Sequence, residues 1–252
     1  MGKNKKILKK SKINDLGEKK RKEEKKGEYI KLLVHQLRTP ASAIKWAVQM
    51  CLDDDSGSLS EEQKDFLEKI FYSNERMILL INNLFKVAKI EEGKILDDLI
   101  LTDIVSIFNF VIKSFKEEIE KKNLKVVFIK PKKFLPPLLI DPEKIKLAIS
   151  HLLDNAIRYN QPGGQIIISI KKPFKKEVEF SIKDTGIGID KNQQKNVFSK
   201  LFRGANAMRM ETVGGGLGLF IVKNIIKAHG GEIWFKSKEN KGSIFYFTLP
   251  FK

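Results

Sequence analysis

"LLVHQLRTPASAIKWAVQMC", residues 32–51, decides the first half of the fold. Outward from Val34, apolar residues fall at Ile30, Val34, Leu37, Ala41, Ile44, Val48 and Cys51. The steps alternate between four and three, which lays these side chains along one stripe of a helix, the seam of a coiled coil. His35 lies beside the seam and not on it, so the spacing predicts a ring that faces outward. Pro40 falls inside the same helix, removes one backbone hydrogen bond and crowds the carbonyl of Gln36. It predicts a bend just past the histidine. Thr39, one turn beyond His35, shares its face.

Downstream, DDDSGSLS at 53–60 breaks the helix. Ser60 with Gln63 reads as a capping box, and Glu61 and Glu62 suit the positive end of a new helix. A second seam follows at Phe66, Ile70, Ser73, Met77, Leu80, Leu84 and Val87. Two such helices joined by a short polar loop predict an antiparallel hairpin. One hairpin cannot bury both seams and their flanks at Leu33, Leu67 and Ile81, whereas two hairpins packed as a four-helix bundle can. The expectation is a homodimer through residues 28–95. Upstream, residues 1–27 are rich in Lys and Glu and read as a frayed or partly helical arm.

The 252 residues are 42% apolar and 31% charged, enough for a sizeable core and too apolar for global disorder. Cys51 is the one cysteine, which excludes an internal disulfide and a cysteine metal site and suits a reducing, cytoplasmic setting. No apolar run reaches membrane-span length, and MGKNKKILKKSK lacks the apolar stretch of a signal peptide. The expectation is a soluble chain. Net charge is +17, and residues 1–28 hold twelve basic and five acidic residues. No basic cluster interleaves with aromatics and no recognition helix is evident, so nucleic acid is disfavoured as a partner.

Past Gly93, a fair helix stop, the pattern changes, with a boundary expected near 92–97. It predicts a helix over 103–121, a strand over 125–130, and a short strand LLI leading to Asp141 as N-cap, Pro142 at the first helical position and a long helix. QIIISIK (165–171) and EVEFSIKD (177–184) alternate as strands. DKNQQKNVF suggests a short helix, GANAMRMETVGGG a glycine-bounded loop and LGLFIVKNIIKAHG a helix stopped by Gly230. GEIWFKSK and GSIFYFTLPF close as a strand pair. Residues 96–252 thus predict an α+β domain with helices layered on one sheet face.

Four stretches in this half carry chemistry. In HLLDNAIRYN, Asn155 is either a solvated polar residue or an amide oxygen for Mg²⁺, a hard cation that takes oxygen ligands. DTGIGI (184–189) follows a strand. It is either a tight turn or a carboxylate, Asp184, placed to accept from a ligand amino group, with Gly186 and Gly188 letting backbone approach a flat ring. VFSKLFRG offers Phe198 and Phe202 as anchors and Arg203 for phosphate. VGGGLGLFIVK (213–223) opens a helix with glycines, where free N–H groups and the dipole suit phosphate. The chain has no G-x-x-x-x-G-K-[ST] loop.

In this order and spacing the four stretches resemble the ATP-binding domain of sensor histidine kinases, of the Bergerat or GHKL type. That fold also serves Hsp90-type chaperones, MutL-type repair proteins and type II topoisomerases. With HQLRTP on a dimerising hairpin upstream, residues 28–252 resemble the transmitter core of a two-component histidine kinase. The resemblance implies that His35 is the phosphoacceptor and that Thr39 helps to position water for dephosphorylating a partner response regulator. It implies ATP and Mg²⁺, with Asn155 holding the metal, Arg158 and Tyr159 meeting phosphates and ring, and Asp184 reading the adenine amino group. Phe202 and Arg203 precede a lid at 204–215. Gly214, Gly216 and Gly218, with Leu217 and Leu219, form the helix-opening run around the triphosphate. The phosphoryl group would pass from His35 to an aspartate of a separate receiver domain.

The sequence departs from the family pattern at Gln36, where Glu or Asp is usual. An amide accepts a hydrogen bond from the imidazole but cannot take its proton. A kinase-impaired scaffold or phosphatase is therefore an alternative, and an ATPase of chaperone or topoisomerase kind a remoter one. His151 stands where an Asn often begins the Asn-box, and Gly215 where a Ser or Thr often contacts phosphate. His229 reads as a helix C-terminal histidine favoured by the dipole. The arm at 1–27 would meet an upstream sensor or an anionic membrane surface at the inner leaflet.

Overall fold

The computed structural model describes residues 33–34, 36–53, 59–91, 95–131, 135–171, 176–210 and 215–251. The arm at 1–27, His35, Gly93 and Gly214 lie outside the described residues, as do the side chains of Leu84 and Val87. The chain divides into two compact units, Met1–Lys94 and Ile95–Lys252.

The first unit is a hairpin of α1 (36–53) and α2 (Glu61–Glu91). The capping box forms as expected: Ser60 N–H donates to Gln63 Oε1 at 2.8 Å and Gln63 N–H to Ser60 Oγ at 3.2 Å. Pro40 sits inside continuous helix. Arg38 bonds Asn82, and Lys45 pairs with Glu75, so the two helices run antiparallel. Val34, Ala41 and Ile81 are buried together with Ile78 against them. The α1 seam divides. Val34, Ala41 and Val48 are buried, whereas Leu37 is 47% and Ile44 42% exposed. On α2 the predicted seam stays open: Phe66, Ile70, Met77 and Leu80 are all exposed. Ser73 is exposed too, and its neighbour Asn74 is buried instead, its Nδ2 donating to the Ala41 carbonyl at 2.8 Å. Within one hairpin α2 therefore packs through Asn74, Ile78 and Ile81 and turns the seam outward.

The second unit is a two-layer α+β fold. Its elements are β1 (Ile100–Thr102), α3 (Ile104–Ser114), α4 (Lys116–Lys121), β2 (Lys125–Ile129), β3 (Leu138–Ile140), α5 (Pro142–Arg158), β4 (Gln165–Lys171), β5 (Glu177–Asp184), α6 (Ala205–Met210), α7 (Gly218–Ala228), β6 (Ile233–Ser237) and β7 (Ser243–Pro250). The main sheet has the order β2-β4-β5-β7-β6, with β2 parallel to β4 and the other pairs antiparallel. Alternation decides which face is covered. Ile166, Ile168 and Ile170 point inward with Val178, Phe180 and Ile182, beneath the buried faces of α3, α5 and α7. Phe108, Phe180 and Phe247 stack through this core, at 5.7 and 4.6 Å between ring centroids. α5 starts where its caps require: Asp141 Oδ1 accepts the Lys144 N–H at 3.1 Å, with Pro142 at the first turn.

Four local expectations fail. The helix over 103–121 breaks at Phe115 (φ −102°, ψ 18°), which turns its N–H back on the Ile112 and Lys113 carbonyls and separates α3 from α4. β1 was not foreseen; three residues are too few for a period, and β1 exists because Ile100–Thr102 pairs with β3. DKNQQKNVF holds only a 3-10 turn, Gln194–Asn196. The expected glycine-bounded loop contains α6, because Ala, Met and Arg in ANAMRM are strong helix formers.

Candidate nucleotide-binding site

The site is built from the end of α5. Asn155, Arg158 and Tyr159 occupy its last turn, with Tyr159 as C-cap donating its N–H to the Asn155 carbonyl at 3.1 Å. The Asn155 amide is half-buried and has no partner among the described residues. Arg158 pairs with Asp154 through Nε, 2.7 Å from Oδ1.

The D-x-G-x-G turn locks onto this helix end. Ile187 N–H donates to the Tyr159 carbonyl at 3.0 Å. A Cβ on Gly186 would lie 2.2 Å from that same oxygen, so only glycine lets the turn come so close. Gly188, at φ +65°, is pressed against the Lys238 carbonyl in the same way. Asp184 ends β5 and is buried. Its Oδ1 accepts the N–H groups of Gly186 at 2.9 Å and Ser243 at 3.1 Å. Burial pushes this carboxyl up to about 6, against the opposing pull of the backbone N–H groups of Gly186, Ser243 and Asp184 itself.

The glycine run closes the far side. Gly216, at φ +62°, lies against the backbone of Leu201 and Phe202, so the aromatic-plus-Arg stretch and the glycine run meet. Phe202 and Arg203 are half-buried there. Leu217 is the N-cap of α7 and offers no side-chain cap, which leaves the first N–H groups, from Gly218 and Leu219 on, for an anion. Gly218 faces His151 on α5: a Cβ there would lie 3.3 Å from Nδ1. His151 is thus half-buried between two elements of the site. Gly214 lies outside the described residues, as does His35; Gln36 and Thr39 are exposed on α1.

His229 departs from the dipole expectation. It is the C-cap of α7, but it is buried and neutral. Nε2 accepts the Asp141 N–H at 3.0 Å, which makes Nδ1 the protonated nitrogen that donates to the Ile225 carbonyl at 2.8 Å. Burial holds its pKa below the ordinary imidazole value. It joins the end of α7 to the start of α5 and is no surface cation.

Sequence reasoning missed several supports. Asn160, fully buried, accepts from Thr185 Oγ1 at 3.1 Å and donates to the Gln165 carbonyl at 3.1 Å. Asn206 on α6 donates to the Gly188 carbonyl at 3.0 Å. Lys122 reaches the carbonyls that end α5. Adjacency to Tyr159 was a signal for Asn160; for Lys122 and Asn206 no local pattern exists.

For Mg²⁺ the donor set is sparse and suitable. Among the described residues no three His, Cys, Asp or Glu cluster as a cage. Mg²⁺ keeps waters and leans on substrate phosphates, so one half-buried amide oxygen, that of Asn155, fits as a protein ligand.

Residues 140–252 match the model of the histidine kinase-, DNA gyrase B- and HSP90-like ATPases, and residues 25–93 match the His Kinase A (phospho-acceptor) domain. The chain is 33% identical over 226 residues to the adaptive-response sensory kinase SasA of Synechococcus sp. (strain JA-3-3Ab), covering 89% of this chain and 59% of that protein. It therefore spans less than two thirds of that relative's length. A crystal structure of full-length ShkA in complex with AMPPNP shares the fold with a TM-score of 0.72 at 23% identity, over 89% of this chain and 46% of that one. The histidine kinase ThkA, solved in complex with the response regulator protein TrrA, does so with a TM-score of 0.62 at 23% identity, over 93% of this chain and 66% of that one.

Proposed function

We propose, since this chain belongs to the histidine kinase family and carries its phospho-acceptor and ATPase domains in series, that it phosphorylates its own His35 from ATP and passes the group to an aspartate of a response regulator. The observation that supports this most is the meeting of the Asp184 turn and the glycine run on α5, the first against the Tyr159 carbonyl and the second against His151. The AMPPNP bound to ShkA and the regulator bound to ThkA support the same nucleotide and partner here.

In this reading Asp184 accepts the adenine amino hydrogen and the bare glycine backbone admits the ring. The opening of α7 and Arg203 meet the phosphates. Asn155 is the protein's ligand to Mg²⁺, which supplies charge neutralisation at the phosphates when bound. His35 attacks the γ-phosphorus through Nε2; a P–N bond forms as the bond to the bridging oxygen breaks and ADP leaves. Most of the catalysis is positioning and charge stabilisation. Gln36 can hold the imidazole N–H through its amide oxygen but takes no proton, so that proton passes to solvent. Thr39, on the His35 face, orients water when the regulator is dephosphorylated. Two hairpins pair through residues 28–95. Among the described residues no helix is long and apolar enough to cross a membrane. The reading puts the chain in the cytoplasm, with the basic arm 1–27 free to meet an upstream sensor or the anionic inner leaflet.

Incubation with γ-labelled ATP and Mg²⁺ tests this. The expected result is a label stable to base, labile to acid and lost in His35→Ala. The Gln36 amide favours one second reading, a nucleotide-binding scaffold or phosphatase. ATP binding without label in the wild type, with label appearing in Gln36→Glu, is the outcome that selects it. Steady phosphate release that His35→Ala leaves untouched would instead mark an ATPase.

A further inference from the structure

The turn that presents Asn155, Arg158 and Tyr159 is closed from outside by Lys122, a residue of no motif. A helix leaves its final carbonyls without intrahelical partners. At the end of α5 the Asn155 carbonyl takes the Tyr159 N–H at 3.1 Å, and the Ile157 carbonyl takes the Asn160 N–H at 3.3 Å. Lys122, the C-cap of α4, donates from Nζ to the Ile157 carbonyl at 3.0 Å and to the Arg158 carbonyl at 2.7 Å. Its own carbonyl accepts the Gly163 N–H at 2.9 Å, so the turn before β2 and the turn after α5 are stitched in both directions. The ammonium sits at the negative end of the helix dipole, and a charged donor makes a bond about twice as strong as a neutral one.

We propose that Lys122 is a positioning residue for nucleotide binding, fixing the orientation of the α5 end through the Ile157 and Arg158 carbonyls. The proposal rests on the ATP reading of this site. Without Lys122 the Arg158 carbonyl loses its ammonium donor and the last turn is freed to fray. Asn155, Arg158 and Tyr159 then meet the nucleotide from a broader set of positions, and affinity falls while the chemistry at bound ATP is unchanged.

The test uses the full chain. ADP with Mg²⁺ is titrated calorimetrically into wild type, Lys122→Met, Lys122→Gln, Lys122→Arg and, as control, Lys121→Met, an exposed neighbour. All titrations run well below each variant's melting temperature. Lys122→Met is expected to raise Kd about threefold to tenfold, the scale of a lost charged hydrogen bond only partly felt at the ligand. Lys122→Gln, with a neutral donor, should fall between, Lys122→Arg should recover most of the affinity, and Lys121→Met should match wild type. In the labelling assay the half-saturating ATP concentration of Lys122→Met should rise by the same factor at an unchanged maximal rate. Lys122→Met binding ADP as wild type does, despite a lowered melting temperature, would reduce the lysine to a structural cap and overturn the proposal. If that variant does not fold, Lys122→Gln decides by the same criterion. Absence of ADP binding in wild type is a different failure: it removes the ATP reading, and this inference with it.

Discussion

Asp184 ends β5 buried, with Oδ1 held by the backbone N–H groups of Gly186 and Ser243. Its pKa of about 6 means that burial disfavours the ionised form more than the N–H groups support it. The sign follows. In the empty protein the folded state holds the proton more tightly than the unfolded state, so stability falls as pH rises from about 4 to about 6. A ligand amino group acts oppositely, because it donates to the ionised carboxylate and repays the desolvation. Affinity for ADP is therefore expected to climb as pH rises through about 6 and then to level off. Asp184→Asn should lower affinity at pH above 7 by about tenfold, the scale of one charge-assisted bond. ADP titrates in this range as well, so the measurement is the difference between wild type and Asp184→Asn across about pH 5 to 8. A difference that stays constant with pH would show that the carboxyl does not face the ligand.

At the scale of elements, glycines decide how closely the turn and the helix approach. Gly186→Ala would place a Cβ 2.2 Å from the Tyr159 carbonyl, which is backbone and cannot swing away. Gly163→Ala meets nothing within 4 Å and suffers only from φ +74°. The first should cost roughly 2–3 kcal/mol by overpacking and abolish nucleotide binding, because the Ile187 to Tyr159 bond must open. The second should cost about 1 kcal/mol and leave binding intact. Denaturant unfolding and ADP titration of both variants check the contrast. The elements also divide what sequence can reveal from what it cannot. The capping box of α2, the Asp141 cap and the alternation of β4 and β5 were legible, because each is written in residues a few positions apart. Phe115, β1 and Asn74 were not. A helix broken by its own C-cap, a three-residue strand that exists through its partner and a polar residue buried against Ala41 all depend on distant neighbours. The motif residues of the site were legible as types in order. Lys122 and Asn206 were not, since what they hold is the backbone of other segments.

At the scale of the whole molecule, the open seam of the first unit is the surface on which the proposed dimer would rest. Leu37 and Ile44 on α1 and Phe66, Ile70, Met77 and Leu80 on α2 stay exposed while the other stripe of the same hairpin is buried. A second hairpin would cover them in both copies. Completing the burial of a half-exposed large apolar side chain contributes about 1 kcal/mol, so twelve such residues in a pair bring on the order of 10 kcal/mol. Association costs roughly 4–15 kcal/mol in lost freedom. The two are of similar size, so the dimer lacks the margin to lose several seam residues. Ile70→Glu with Leu80→Glu removes four of the twelve and brings like charges onto the seam. Sedimentation equilibrium of the full chain should then give two copies for wild type at tens of micromolar and one for the double variant. Trp46→Glu is the control. It is exposed on α1 outside the seam, so it should leave the dimer whole. A monomeric wild type, or a dimer indifferent to both seam charges, would mean that the stripe meets something other than a second copy. The monomeric outcome would also confine the proposed phosphorylation of His35 to a single chain.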